Sequence, residues 1–313
     1  MKILSLFDGI SCGRLALERA GIPVEKYYAS EIDKYAIQVA QKNYPDTIQV
    51  GDVNKLNYLE LLDVDMIIGG SPCQDLSIAK QNRQGLRGER SGLFWKYVEA
   101  LEVIHPKWFL LENVASMRNE DRDAITETLK RLYPETECIM INSALVSAQQ
   151  RKRYYWTNWH VEQPQDKGIL LKDILESGLP YLEKSQSLTA SYYGAIFWNS
   201  IQRKQRTMVA EPVHIGELDG HGKGQANRIY SVCDKSVCLN ANGGGGAKTG
   251  LYKVDLPDGD YIIRKLTPIE CERLQTLPDG WTDGVSNTQR YKAIGNGWTV
   301  DAIAWIFSQL PKD

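Results

Sequence analysis

Short apolar runs and amphipathic stretches take turns along the first half of this chain. The alternation predicts strands over residues 3–7, 27–30, 47–50, 66–69, 108–111, 137–141 and 154–157. Apolar residues at helical spacing fall between them, over 13–20, 34–43, 92–104 and 122–132. Strands that alternate with helices predict an α/β fold, a doubly wound, Rossmann-like parallel sheet with helices on both faces. From about residue 162 the periodicity fades and Gly, Ser, Asn and Gln accumulate, most densely in the loop-like tract 239–250. Helical order then returns. Thr267 followed by Pro268 is a helix-start signal, and residues 300–310 are apolar enough for a terminal helix packed on the sheet. The expected organisation is one domain made of residues 1–161 and 263–313, with a small irregular domain of residues 162–262 between its two parts.

Composition narrows the class. The 313 residues are 42% hydrophobic, enough for a sizeable core, and contain no apolar run near the roughly 18 residues of a membrane span. The first residues read as a buried strand rather than a basic, then apolar, leader, so the cytoplasm is the expected location. In that setting the six cysteines are expected to be reduced thiols, one of them a candidate for catalysis. A net charge of −2 gives no bulk support to a polyanionic partner and shifts attention to local basic patches.

Ligands of doubly wound sheets bind beyond the carboxyl ends of the strands, and the candidate chemistry sits there. The first strand leads into Phe7-Asp8-Gly9-Ile10-Ser11-Cys12-Gly13, a strand–turn–helix connection whose glycines permit close backbone approach. The second ends at Glu31-Ile32, where a carboxylate can accept ribose hydroxyls, and the third at Gly51-Asp52-Val53, where another can accept an amino group. Each acid alone reads equally as a solvated loop residue. Together, at successive strand ends, they favour a nucleoside-containing cofactor. The fourth strand runs into Gly69-Gly70-Ser71-Pro72-Cys73-Gln74, which sets Cys73 on a proline-stiffened turn as a thiolate nucleophile. The fifth ends in Glu112-Asn113-Val114, which would face the same crevice and could hold or pass a proton. Arg151 and Arg153 enter a further strand, where a guanidinium can hold a carbonyl oxygen or a phosphate.

Two local basic stretches answer the charge balance. Residues 77–92 form a long, glycine-containing basic loop after Cys73. Arg203-Lys204-Gln205-Arg206 follows Tyr192, Tyr193 and Trp198, a mixture suited to phosphate contact and base stacking, or equally to a solvated face.

With these residues assembled, the chain resembles the cytosine-C5 DNA methyltransferases. The likeness rests on the ordered set Phe7–Gly13, Glu31, Asp52, Pro72-Cys73-Gln74, Glu112-Asn113-Val114, Gln149 with Arg151 and Arg153, the run Arg264 to Gln275, and Gly295-Asn296-Gly297. It covers nearly all of residues 1–160 and 264–310. The first half is also similar to the catalytic domain of animal de novo methyltransferases, while Gln74 and the middle segment look more like bacterial or phage enzymes. Ser11 and Cys12 stand where bacterial members commonly carry glycine. The resemblance implies S-adenosyl-L-methionine as cofactor, with Phe7 and Ile32 flanking the adenine, Glu31 on the ribose, and Asp52 and Val53 at the adenine edge. Asp8, Gly9, Cys12 and Gly13 would line the loop, Pro72 the pocket wall, and Asn296 and Trp298 would close it.

It implies Cys73 as nucleophile, Glu112 at the N3 edge of a flipped-out cytosine, Arg153 at its O2 edge and Arg151 steadying the site. Residues 162–262 become the target-recognition domain and double-stranded DNA the partner. A restriction endonuclease encoded nearby, an orphan role and a phage-borne role all stay open, with a monomer as the default.

Rival readings are an RNA cytosine methyltransferase with the same nucleophile and a catalytically dead DNA-binding module. A phosphate-binding loop at 243–250 is excluded because Ala247 precedes Lys248 where glycine is required. A zinc site from Cys233, Cys238, His214 and His221 has loose spacing, and no metal is expected.

Overall fold

The structure, a computed structural model, describes residues 1–71, 92–180, 182–195, 206–212, 229–231, 251–256 and 259–311. The chain divides into two compact units. The first contains residues 1–146, 152–167 and 297–313, and the second residues 147–151 and 168–296.

The first unit is built on a seven-stranded sheet. Its strands are β1 (Lys2–Leu6), β2 (Lys26–Ser30), β3 (Ile48–Gln49), β4 (Met66–Gly70), β5 (Trp108–Val114), β6 (Glu137–Asn142) and β7 (Lys152–Thr157), in the order β3-β2-β1-β4-β5-β7-β6. The expected doubly wound parallel sheet is present, with one strand reversed. The first five strands pair parallel, whereas β7 lies antiparallel between β5 and β6. Only nine residues separate β6 from β7, too few for the crossover that parallel pairing demands. The order reverses between β1 and β4, the switch point at which such sheets open a crevice.

Helices α1 (Cys12–Arg19), α2 (Lys34–Asn43), α3 (Gly92–Ile104), α4 (Asn119–Leu132) and, near the C-terminus, α7 (Val300–Ser308) join this unit. Asp33 caps α2 by accepting from the backbone N–H groups of Tyr35 and Ala36 at 2.9 and 3.4 Å. Strand residues alternate between the faces. Leu4, Leu6, Ile67, Phe109 and Leu111 join Phe94, Tyr97 and Leu101 of α3 and Ile125 and Leu129 of α4 in one fully buried cluster. Ile3, Met66, Ile68 and Leu110 are equally buried, so both faces are covered and the strands read as near-continuous apolar runs.

The second unit departs most from expectation. Instead of an irregular segment it carries a five-stranded sheet: β8 (Leu179–Pro180), β9 (Met208–Pro212), β10 (Ile229–Ser231), β11 (Leu251–Leu256) and β12 (Gly259–Lys265), ordered β10-β11-β12-β9-β8. The helices α5 (Pro268–Leu274) and α6 (Asn287–Asn296) belong here, beyond the expected boundary at residue 263. The reason is packing. Leu266, Cys271, Leu274, Tyr291 and Ile294 share a buried cluster with Leu171, Leu188, Tyr192 and Val209. Thr267 and Pro268 start α5 as expected, and Glu270 completes a capping box with the Thr267 backbone.

Within this unit Gly295 is crossed closely by the chain. A Cβ there would sit 2.3 Å from the carbonyl carbon of Thr189 and 2.4 Å from its oxygen, and backbone cannot yield as a flexible side chain would. Gly295→Ala is expected to destabilise the protein by about 1–3 kcal/mol. Gly92→Ala, where a Cβ meets nothing within 4 Å, should be neutral or slightly stabilising. Equilibrium denaturation of the two variants side by side tests this, and equal stabilities would contradict the close crossing.

Candidate active site

The switch point is built from backbone that only special conformations allow. Phe7, Gly9 and Ser11 have φ of 61°, 62° and 58°, so the turn after β1 passes three times through the left-handed region. Glycine accepts this without strain, whereas Phe7 and Ser11 do not, and held strain of this kind clusters at ligand sites. Ser11 thus takes a conformation that glycine would adopt more readily. Its hydroxyl offsets part of the cost by donating to Asp8 Oδ2 at 2.6 Å. Tyr27 donates to the other Asp8 oxygen at 2.8 Å. Burial pushes the Asp8 carboxyl above its ordinary value, while the hydroxyls of Ser11, Ser5 and Tyr27 pull it back. Cys12 and Gly13 begin α1, both buried, and a Cβ on Gly13 would meet Ile68 Cδ1 at 2.5 Å and the Trp298 ring at 3.3 Å. A side chain there would have to displace the end of Ile68 and press on the indole.

Glu31, just past β2, is held by three backbone donors: Gly9 N–H at 2.8 Å on Oε2, and Ile32 and Asp33 N–H, each at 2.8 Å, on Oε1. A carboxylate has about four lone-pair sites, so acceptor capacity remains on Oε2. Ile32 beside it is 76% exposed, a free apolar face at a strand end. Asp52 caps the turn Val53–Lys55, and the Asn54 backbone N–H, at 3.0 Å, holds its carboxyl below the usual range. Val53, expected to touch a cofactor, instead sits in the buried cluster with Leu4 and Leu6, because an apolar residue at that turn is drawn into the core.

The fourth and fifth strands bring the acid into position. Gly70 of β4 pairs with Glu112 of β5. Glu112 is opposite Tyr155 of β7, and Arg153 lies two residues from Tyr155, so Arg153 and Glu112 are diagonal neighbours on one sheet face. Arg153 Nε reaches Glu112 Oε1 at 2.8 Å, and the Trp298 indole N–H donates to Oε2 at 3.2 Å. Both carboxyl oxygens of this buried side chain are therefore fixed. Asn113 donates to the Ser71 hydroxyl at 3.2 Å, which ties down the exit of β4.

A Cβ on Gly70 would lie 2.7 Å from Glu112 Oε2 and 2.9 Å from Trp298 Nε1. Gly70→Ala should therefore displace the carboxyl and lower turnover by about tenfold or more, since misplacements near 1 Å cost up to about a hundredfold. Steady-state rates at matched folded fraction check it, and an unchanged rate would contradict the packing.

Pro72 and Cys73 lie outside the described residues, as do Cys233 and Cys238 with their histidine partners. The thiols that are described are poor nucleophile candidates in two of three cases. Burial raises Cys138 to about 11 and pushes Cys271 well up. Among the described residues no group of three metal-ligating side chains occurs, and no helix is long and apolar enough to cross a membrane.

Two expected site residues fall in the second unit. Arg151 does not point its guanidinium to open space. It donates to the carbonyls of Leu188 and Gly295 at 3.0 and 3.3 Å and to Ser187 Oγ at 3.5 Å, so these donors hold the chain of its own unit together. Asn296 ends α6 there, while Trp298 lies in the first unit.

The family model for the C-5 cytosine-specific DNA methylases matches residues 1–312. The chain belongs to that family. Among its relatives is the type II methyltransferase M.HhaI of Haemophilus parahaemolyticus, 30% identical, with 98% of this chain and 93% of that protein aligned. The orphan methyltransferase M.SPRI of Bacillus phage SPR is 25% identical over 99% of this chain and 97% of its own length. Among solved structures, the S. pombe Dnmt2 methyltransferase superposes with a TM-score of 0.65 at 15% identity, covering 98% of this chain and 97% of its own. A putative DNA modification methyltransferase from an E. coli prophage gives 0.61 at 20% identity, covering 99% and 98%. These two structures bear on the fold, which as in other C5 methylases is an α/β sheet.

The Trp298–Glu112 contact was not legible in the sequence. The partners are 186 residues apart, and no local pattern links an indole near the C-terminus to a strand-end acid. The Ser11–Asp8 contact, three residues apart, was there to be found.

Proposed function

We propose that this protein transfers a methyl group from S-adenosyl-L-methionine to C5 of a cytosine flipped out of double-stranded DNA, with Cys73 as nucleophile. The observation that carries the reading is the doubly held carboxyl of Glu112, fixed by Arg153 and Trp298 beside the Gly70 strand end. Cys73 follows Ser71 by two residues, a reach of at most about 7 Å of extended chain.

The strand ends fit the cofactor. Glu31 keeps acceptor capacity for a ribose hydroxyl, Ile32 offers a free apolar face for adenine, and Asp52 supplies a carboxylate for the adenine amino group. Phe7, Asp8, Gly9, Cys12 and Gly13 bring the backbone turn, and Pro72 and Trp298 a wall. When bound, S-adenosylmethionine supplies an electrophilic methyl group. The protein's own task is to make C5 a nucleophile. The Cys73 thiolate adds to C6, and electron density passes to C5 and toward N3. Glu112 hydrogen-bonds or protonates N3 and so stabilises the charge that develops on the ring. Arg153, already turned to this face, holds the O2 edge. After methylation a base takes the C5 proton, and the C6–sulfur bond breaks to release Cys73.

The base is unreachable inside a duplex, so the substrate strand pays a few kcal/mol to extrude it. Phosphate contacts by local lysines and arginines offset this, and residues 162–262 select the sequence. The enzyme acts as a monomer in the cytoplasm, alone or beside a cognate restriction endonuclease.

Expression from a plasmid in a host without cytosine methylation, followed by bisulfite sequencing, tests the reading. The expected result is protection of cytosines in one short sequence context. No protected cytosine, with labelled methyl groups appearing in RNA instead, would replace DNA by RNA as the substrate.

A further inference from the structure

Charge is unevenly settled in the second unit. Arg264 pairs with Glu270 at 2.8 Å, Arg273 with Asp279 at 2.6 Å, and Arg290 with Glu272 and Asp283 at 3.0 and 2.9 Å. Lys265 and Arg206 have no carboxylate within 4 Å among the described residues. Both bend instead onto one short turn, Tyr192–Gly194. Lys265 Nζ donates to the Tyr193 carbonyl at 2.9 Å and lies 4.8 Å from the centre of the Tyr291 ring. Arg206 donates to the Gly194 carbonyl at 2.7 Å and to Ser191 Oγ at 3.2 Å.

The two anchoring carbonyls belong to consecutive residues. With Cα atoms about 3.8 Å apart and hydrogen bonds of about 3 Å, the cationic heads are within about 10 Å of one another. Each is partly buried, and burial lowers the pKa of both, the sign of a charge short of solvent and of a counter-ion. Among the described residues neither uses all of its donors. An ammonium has three donors and a guanidinium five, more than these contacts use. On the same turn Tyr193 stands 39% exposed, with its neighbour Tyr192 buried beneath it as an anchor. Half-buried cations with spare donors, gathered round one short turn and flanked by an exposed aromatic face, suit an anion that accepts several hydrogen bonds and carries flat groups beside it. A phosphodiester has that chemistry.

We propose that Lys265 and Arg206, gathered on the Tyr192–Gly194 turn, form a phosphate-binding site that grips the backbone of the DNA substrate. The proposal rests on the functional reading above and adds a place to it. The site positions the duplex and carries no sequence information, because every nucleotide presents the same phosphate. It also gives work to Arg206 of the basic tract, and to Lys265 beside the α5 cap, that the catalytic chemistry does not.

Equilibrium binding of a duplex carrying the mapped target, and of one without it, is measured between 50 and 200 mM salt. The proteins are the full-length wild type, Lys265→Gln, Arg206→Gln, the double variant and the charge-keeping Lys265→Arg. Each lost phosphate contact should flatten the plot of log K against log salt by about 0.9, so that affinity falls about 3.5-fold less over that range than in the wild type. The double variant should lose about twice as much slope, equally on both duplexes, and Lys265→Arg should keep it. Turnover at saturating DNA should be near wild type, with the change confined to KM for DNA. An unchanged slope, with weaker binding that merely tracks a lowered melting temperature, would mean that the cations only brace the turn and would overturn the site. A loss confined to the target sequence would overturn it as well. A wild type that methylates a cytosine in DNA while the variants keep its slope defeats this site alone, whereas a wild type that neither binds nor methylates duplex DNA defeats the functional reading itself.

Discussion

Cys73→Ser is expected to lower methyl transfer by more than about a thousandfold while leaving methyl-donor binding nearly intact. A serine hydroxyl is far less acidic than a thiol and far less willing to attack an electron-poor ring carbon, so C5 is never activated. Glu31, Ile32 and Asp52, assigned to the cofactor, lie at the ends of β2 and β3, and Pro72 and Trp298 keep their side chains in this variant. Single-turnover rates at saturating DNA, together with a binding isotherm for the methyl donor, separate the two effects. A variant that methylates DNA at near wild-type rate would remove the proposed mechanism. One that loses donor affinity in proportion to rate would make Cys73 part of the pocket instead.

Glu112→Gln should cost about a hundredfold to a thousandfold in turnover, the usual loss when a group aimed at developing charge is removed. The geometry explains why a near-isosteric change is so damaging. Both carboxyl oxygens accept, one from Arg153 and one from Trp298. Glutamine offers one acceptor and one donor, so its NH2 must face one of those N–H groups. The clash turns the side chain or loosens Arg153, and it should also lower stability by about 1–3 kcal/mol. Rates corrected for folded fraction, beside a denaturation curve, distinguish lost chemistry from lost fold. Normal turnover in a destabilised protein would reduce Glu112 to a structural role.

The first unit could be read closely from the sequence because its signals are local. The 66–69 and 108–111 runs lie in buried strands, the 3–7 run does so up to Leu6, with Phe7 in the turn, and the bounds of α2 and α3 are those expected from helical spacing. Thr267, Pro268 and Glu270 announce α5 within four residues. The reversed β7 was hidden because strand direction is a property of connections, not of composition. The five-stranded sheet of the second unit was hidden for a related reason. Apart from β11 and β12, which are neighbours in the chain, its strands pair across long separations, as β12 does with β9, and polar and glycine-rich sequence lies between them. Candidate acids could be found at strand ends because the fold puts ligands there. What they touch could not. Glu112 meets Arg153 across a β5–β7 register and Trp298 across 186 residues, and Arg151, two positions from Arg153, belongs to the other unit.

The central claim is a bond between the Cys73 sulfur and C6 of the target cytosine. It is tested most directly with a duplex in which the mapped target carries 5-fluorocytosine, incubated with the protein and methyl donor. Fluorine cannot leave C5 as a cation, so after methyl transfer elimination stops and the sulfur–carbon bond persists. The account predicts a denaturation-resistant protein–DNA adduct that needs the methyl donor and maps by peptide mass to Cys73. Methylation of the ordinary target by a protein that forms no adduct with the fluorinated one, or forms it through another residue, would contradict it.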